Sequence, residues 1–329
     1  MEGSMIKTLV TNVKNKLETR WRFEVPYVLI YGRNGAGKSS IIHGLELACF
    51  NQVFDAAGKD VKLKRVINQM GYKGDEVRAS ILTNDFAKYE YGSGQAGYRN
   101  AVHDAMTAMN GGSVSLYKFL LRNVDNDMPL TVVHQKWDAH VKQHGSYRKA
   151  LLKMDEVVGK ALRSHRAKLK ELDIAAKYAQ VNNQELTAQR SAAVLHEAQA
   201  KDLATQIKRE MHRFYEEIAP VIERKMQKYI PEGMGKPKFV TTQDVRLGFE
   251  DRPFPSGAES VALAVALAAA VLPMEKSVII FPDRAYDPKT LGNMMRVART
   301  IPAIGVYVQS TVMPKDYEPE AMGWQVLPV

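Results

Sequence analysis

The chain has 329 residues, 45% of them hydrophobic and 25% charged, so it can bury a sizeable core and is neither a disordered tail nor a low-complexity chain. Its 46 lysines and arginines against 36 aspartates and glutamates give a formal charge of +10, more than one bound nucleotide would use. The excess points to a polyanionic partner, nucleic acid first, with a basic protein lacking any such partner as the rival reading.

One cysteine, Cys49, excludes an internal disulfide framework and a zinc site built from paired cysteines. No uncharged apolar run approaches the roughly twenty residues of a membrane helix. With no secretory signal at the start, the expected location is cytoplasmic and nucleoid-associated.

In chain order, Ile6 to Val13, Arg20 to Val25 and Tyr27 to Tyr31 read as short strands broken by charged turns and Pro26. The first two are expected to form an antiparallel side layer against the third. Then comes Gly32-Arg33-Asn34-Gly35-Ala36-Gly37-Lys38-Ser39-Ser40, which fits the spacing of a phosphate-binding P-loop. Glycines let consecutive N–H groups point at one anion, Lys38 supplies a point charge for the β and γ phosphates, and the Ser39 hydroxyl suits a Mg2+ shell. An ordinary glycine-rich turn is the alternative. The apolar strand before it and the helix after it (Ile41, Ile42, Leu45, Ala48) supply the context that a nucleotide site requires.

That helix fades near Asn51. Asp55 to Asp75 is mixed and basic, and Glu76 to Thr83 alternates as a strand. Lys88 to Gly112, punctuated by five glycines, reads as a loop. A short helix at Leu116 to Leu121 precedes an apolar strand, Leu130 to Val133, that delivers Gln135.

From Tyr147 the pattern changes. Leu151, Met154, Val158, Leu162, His165, Leu169, Leu172 and Ala176 form one stripe of a long helix, and a second stripe returns through Leu203, Ile207, Met211, Phe214 and Ile218. With a polar tip at Gln180 to Glu185, the pair predicts an antiparallel helical hairpin, kinked at Pro220. Lys153, Lys160, Arg163, Arg166, Lys168, Lys170 and Lys177 give its first helix a basic face, either a solvated surface or a polyanion contact.

Strands return at Lys238 to Thr242 and Val245 to Glu250. An alanine-rich helix opens at Ser256-Gly257-Ala258-Glu259, a strand Ser277 to Phe281 ends in Pro282-Asp283, and a helix Thr290 to Thr300 leads to a last strand, Ala303 to Val308.

This succession of P-loop, glutamine at a strand end, helical hairpin, Ser-Gly-x-Glu turn and apolar strand ending in Asp resembles the ATPase heads of the SMC, SbcC and RecF group, a branch of the ABC-type ATPases. The resemblance implies an α/β P-loop head of mixed sheet and antiparallel side layer, interrupted by the hairpin: residues 1–145 as N-terminal lobe, 146–230 as hairpin, 231–329 as C-terminal lobe.

It also implies ATP and Mg2+, with Gln135 as the Q-loop glutamine on Mg2+ and the attacking water. Ser256, Gly257 and Glu259 correspond to the signature turn that binds the nucleotide of a second protomer; a Ser cap on a buried helix is the competing explanation. The group's Asp-Glu pair is replaced by Asp283-Arg284. Asp283 then takes either the Mg2+ position, which is favoured, or the base position with Pro282 replacing the metal residue, and Asp287 is either a substitute base or the D-loop aspartate. Gln309 or Ser310 stands where a switch histidine is usual.

The functional expectation is a slowly hydrolysing ATPase in DNA repair, recombination or maintenance. It would form a homodimer across two ATP, bind DNA without sequence preference and leave membranes alone, with a nuclease of SbcD type as a further partner. The rivals are a nucleotide-gated scaffold that recruits such an enzyme and a transporter-type motor subunit.

Overall fold

The computed structural model describes residues 4–13, 18–54, 77–93, 97–124, 143–178, 184–241, 244–282 and 286–329. The chain divides into two compact units, one of residues 1–115 with 220–329 and one of residues 116–219.

In the larger unit, β1 (Ile6–Thr11) and β2 (Thr19–Arg22) pair antiparallel, and β4 (Ala79–Thr83) and β5 (Lys88–Glu90) extend them to a sheet of order β2-β1-β4-β5. This is the expected side layer. A second sheet is parallel. Its strands β3 (Tyr27–Tyr31), β6 (Arg99–Asn100), β9 (Ser277–Ile280), β10 (Gly305–Ser310) and β11 (Gln325–Pro328) lie in the order β11-β3-β10-β9-β6. Parallel strands covered on both faces are apolar throughout. Val28, Leu29 and Ile30 of β3, Val278 and Ile279 of β9 and Val306 to Val308 of β10 are all fully buried.

Helix α1 (Lys38–Phe50) packs between the two sheets, its Ile41, Leu45, Leu47 and Cys49 joining Leu9, Ile81 and Val278 in one core. Gly44 is where α1 meets β1: a Cβ there would lie 2.9–3.0 Å from three side-chain atoms of Thr11.

Two expectations need correction. Lys88 to Gly112 is not a loop but β5, β6 and the helix α2 (Ala101–Asn110), capped by the Asn100 side chain, which accepts from the His103 N–H at 3.0 Å. Its glycines sit before and after the helix, while Ala101, Val102, Ala105, Met106 and Ala108 are buried at helical spacing. The last strand is not Ala303 to Val308: β10 runs on to Ser310, carrying Gln309 and Ser310 into the sheet, and β11 follows as a parallel neighbour of β3. Pro220, where a kink is expected, lies inside a helix that continues to Met226.

The smaller unit holds most of α3 (Gly112–Asn123), all of α4 (Tyr147–Tyr178) and most of α5 (Gln184–Met226). Arg166 pairs with Glu197 at 3.0 Å, Arg190 with Asp173 at 2.7 Å, and the Tyr147 hydroxyl donates to Glu210 at 2.5 Å. Each residue advance along α4 is thus a step back along α5, the antiparallel hairpin foreseen. The stripe residues Leu151, Val158, Leu172, Ile207, Met211 and Phe214 are its buried contacts.

The C-terminal part of the larger unit carries the antiparallel ribbon β7 (Pro237–Thr241) and β8 (Val245–Phe249), then α6 (Gly257–Val271) and α7 (Pro288–Ala298). Helix α6 is apolar all round, and it is buried from Val261 to Ala268. Among the described residues, no helix is long and apolar enough to cross a membrane.

Candidate functional site: the P-loop and the cavity behind it

The turn from β3 to α1 is shaped by its glycines. Gly35 and Gly37 have φ of 82° and 106°, in the left-handed region that other residues enter at a cost. Gly32 is required by proximity instead: the Val329 N–H donates to Tyr31 O at 2.9 Å, and a Cβ on Gly32 would lie 2.5 Å from the Val329 carbonyl oxygen.

Gly37 is the N-cap of α1 without a side-chain cap, and no acidic residue lies in the first turn. The positive end of the helix therefore faces outward unneutralised. Lys38 is buried, and its ammonium donates to Gly32 O at 2.8 Å and Arg33 O at 2.9 Å, which folds the lysine back over the turn. Arg33, Asn34 and Gly35 are exposed, Ala36 and Ser39 half-buried and Ser40 buried. An anion seated on the turn would meet backbone N–H groups, the Lys38 ammonium and the Ser39 hydroxyl together.

Behind Ser39 lies a cavity of about 180 Å3 between α1, α2 and the ends of β9 and β10. Ser39, His43, Glu46, Asn100, His103 and Gln309 supply its polar lining, and Phe281 and Pro282 lie at the β9 side. Glu46 is 4% exposed; it accepts from the Phe54 N–H at 3.4 Å and faces His43 Nδ1 at 3.0 Å. Burial pushes its carboxyl above the ordinary carboxylate range, and the contacts to His43 and Phe54 oppose that rise only in part. Gln309, also 4% exposed, has its Oε1 buried without a hydrogen-bond partner.

The Ser256 turn is built as a capping box. Ser256 Oγ accepts from the Glu259 N–H at 3.4 Å, and Glu259 Oε2 accepts from the Ser256 N–H at 2.7 Å, while Glu259 Oε1 pairs with Arg252 at 3.3 Å. The Glu259 carboxylate thus fills the anion position at the α6 N-terminus. Asp287 caps α7, accepting from the Lys289 and Thr290 N–H groups at 3.1 and 2.9 Å. The bonds from Thr290 hold its carboxyl below the ordinary range, with Lys289 adding to them. Gln135, Asp283 and Arg284 lie outside the described residues.

Gly32, Arg33, Lys38 and Ser39 therefore converge, and Ser39 shares its cavity with Pro282 and Gln309. His43 and Glu46 are absent from the motif, yet their spacing from Ser39, four and seven residues, puts all three on one helical face. No metal-binding cluster of His, Cys, Asp or Glu occurs among the described residues. Mg2+ bound with a nucleotide takes one or two protein oxygens and completes its shell with phosphate and water, so the lone Ser39 hydroxyl at this turn fits it.

In the smaller unit, Lys118, Arg122, Lys149, Lys153, Arg163 and Lys208 surround a groove of about 700 Å3 that also holds Asp155 and Glu156. Lys118 pairs with Asp155 at 2.6 Å and Lys153 with Glu156 at 3.0 Å.

Residues 17–225 match the family model described as AAA domain. No curated protein matches the chain. Among solved structures, the recombination mediator protein RecF with ATP is similar at 13% identity and a TM-score of 0.48, covering 96% of this chain and 94% of that one. RecF with ATPrS follows at 13% identity, a TM-score of 0.46 and coverage of 96% and 95%. An SMC head bound to the C-terminal winged-helix domain of ScpA shows 14% identity, a TM-score of 0.34 and coverage of 95% and 90%.

Proposed function

The chain belongs to the AAA domain family, and from that premise we propose that it is an ATP-binding ATPase of the SMC and RecF head type acting in DNA repair or recombination. The observation that carries this is the P-loop itself: an uncapped α1 N-terminus, left-handed Gly35 and Gly37, and Lys38 folded over the turn. In this reading Lys38 and the turn's N–H groups hold the phosphates, and Ser39 holds Mg2+, with Gln135 and Asp283 as its further ligands. Mg2+ would offset phosphate charge as it builds up during transfer.

Two protomers would close head to tail, with Ser256 and Gly257 of one meeting the γ phosphate held by the other. ATP then supplies the differential affinity for the closed state. Glu259 must give up the α6 N-terminus for that contact, and Arg252 is placed to take its charge. The basic groove of the hairpin unit supports sequence-independent DNA contact. An SbcD-type nuclease is a further partner in this reading, and the cytoplasm, at the nucleoid, its location.

A second reading, a nucleotide-gated scaffold with little hydrolysis, is favoured by one observation: the Ser256 turn and Asp287 already spend their polar groups on helix caps. Light scattering with and without ATP and Mg2+, for the native chain and Lys38→Ala, tests the proposal. The native chain should bind ATP and dimerise, and Lys38→Ala should do neither. A native chain that binds no ATP refutes both readings, and dimerisation without phosphate release leaves the scaffold.

A further inference from the structure

We propose that the cavity behind Ser39 is a proton-relay chamber: the His43–Glu46 pair takes the proton of the water that attacks the terminal phosphate, and Gln309 aligns the intervening water. This rests on the ATP reading above and supplies a base from α1, in a chain whose sequence has Arg284 instead of a Glu after Asp283.

The geometry carries it in three ways. Ser39, His43 and Glu46 recur at i, i+4 and i+7, so the phosphate end of α1 and the pair share one face, and all three line one cavity. The cavity has room for several waters, each needing on the order of 10–15 Å3 and two or more polar partners. Gln309 Oε1 is buried in that lining with no protein donor, an acceptor that a cavity water satisfies.

The pair is also set up to accept. Glu46 takes a hydrogen bond from the Phe54 backbone and lies 3.0 Å from His43 Nδ1; in the tautomer with the proton on Nδ1, Nε2 is the imidazole's acceptor. Burial raises the proton affinity of the Glu46 carboxylate, and the contacts to His43 and Phe54 oppose that rise. Among the described residues, the other ionisable groups near it are His103 of α2, in the same cavity, and the buried Cys49 of α1.

In the step, the water oxygen bonds to the γ phosphorus as the bond from that phosphorus to the bridging oxygen breaks. The bridging oxygen leaves with the electron pair as ADP. The water's proton passes through the cavity to His43 Nε2, and Glu46 holds the resulting imidazolium through Nδ1–H. His43 is 18% exposed, so it returns the proton to solvent.

The test compares ATP affinity, phosphate release across the neutral pH range and thermal melting for the native chain, His43→Gln, Glu46→Gln and Gln309→Leu. It adds crystal structures of the native chain and Gln309→Leu. Both pair variants should bind ATP as the native chain does and melt cooperatively, yet lose about 100-fold in kcat, with the acid limb of the rate profile gone in His43→Gln. Ordered water should bond to Gln309 Oε1 and vanish in Gln309→Leu.

Native kcat and pH profile in folded His43→Gln overturn the relay, as does a dry cavity, and as does a native chain that binds ATP and releases no phosphate at any pH. A native chain that binds no ATP overturns the nucleotide reading itself, and the relay with it. The crystal structures keep the cavity water testable even if Glu46→Gln fails to fold.

Discussion

Replacing Gly44 by alanine tests how α1 is held between the sheets. In an isolated helix the change should stabilise by about 1 kcal/mol, through lower backbone entropy in the unfolded chain. Here the added methyl would lie 2.9 Å from Thr11 Cγ2 and 3.0 Å from both Thr11 Cβ and Oγ1. Thr11 cannot yield easily: it is buried in β1, its hydroxyl donates to Arg78 O at 3.1 Å, and Thr11 Oγ1 itself accepts from the Val13 N–H at 3.1 Å.

Overpacking of this kind costs about 2 kcal/mol, and weakening the hydroxyl's bonds adds about 1 kcal/mol. Against the helix gain, the net loss is about 2 kcal/mol. Urea unfolding should show a lower midpoint with an unchanged slope. Thr11→Ser, which removes the closest atom, should recover part of the loss in the double variant. A Gly44→Ala protein as stable as the native one would refute the packing argument.

Ser256→Ala should cost about 1 kcal/mol in the same assay, since it removes one half of the capping box, while Glu259 keeps the Ser256 N–H. Glu46 sets a pH dependence: its carboxyl lies above the ordinary 4.5 in the folded chain, so its favourable contribution is complete below that value and is lost as pH rises through the folded one. Glu46→Gln should therefore gain on the native protein in urea stability as pH rises from 4.5. Equal stability at every pH would contradict the burial argument. For DNA, affinity should fall steeply between low and moderate salt, and charge-neutralising changes at Arg122, Lys149 and Lys208 should reduce that slope by about 1 each, measured by fluorescence anisotropy. A salt-insensitive affinity would assign the charge excess to another role.

The P-loop turn and the hairpin were legible in the sequence, and the Ser256 cap stood there as the explanation competing with a signature turn, because each is decided within a few residues. Gly37 and Lys38 act on neighbours of the same turn, Ser256 and Glu259 satisfy each other three residues apart, and Leu151, Val158 and Leu172 repeat with the helix period. Helix α2 was hidden by the glycines around it, although Asn100 and the spacing of Ala101, Val102 and Ala105 carry its signal.

What the sequence determined by itself is a P-loop turn between a strand and a helix on an α/β scaffold, a helical hairpin and an excess of positive charge. Only the tertiary structure decided that Val329 closes against Gly32, that β11 flanks β3, and that Glu46 and Gln309 are buried around one cavity. Those outcomes depend on residues far apart along the chain, Phe54, Asn100 and Pro282 among them, and burial is a property of what the fold brings near. No pattern on α1 alone could have told a buried Glu46 from a solvated one.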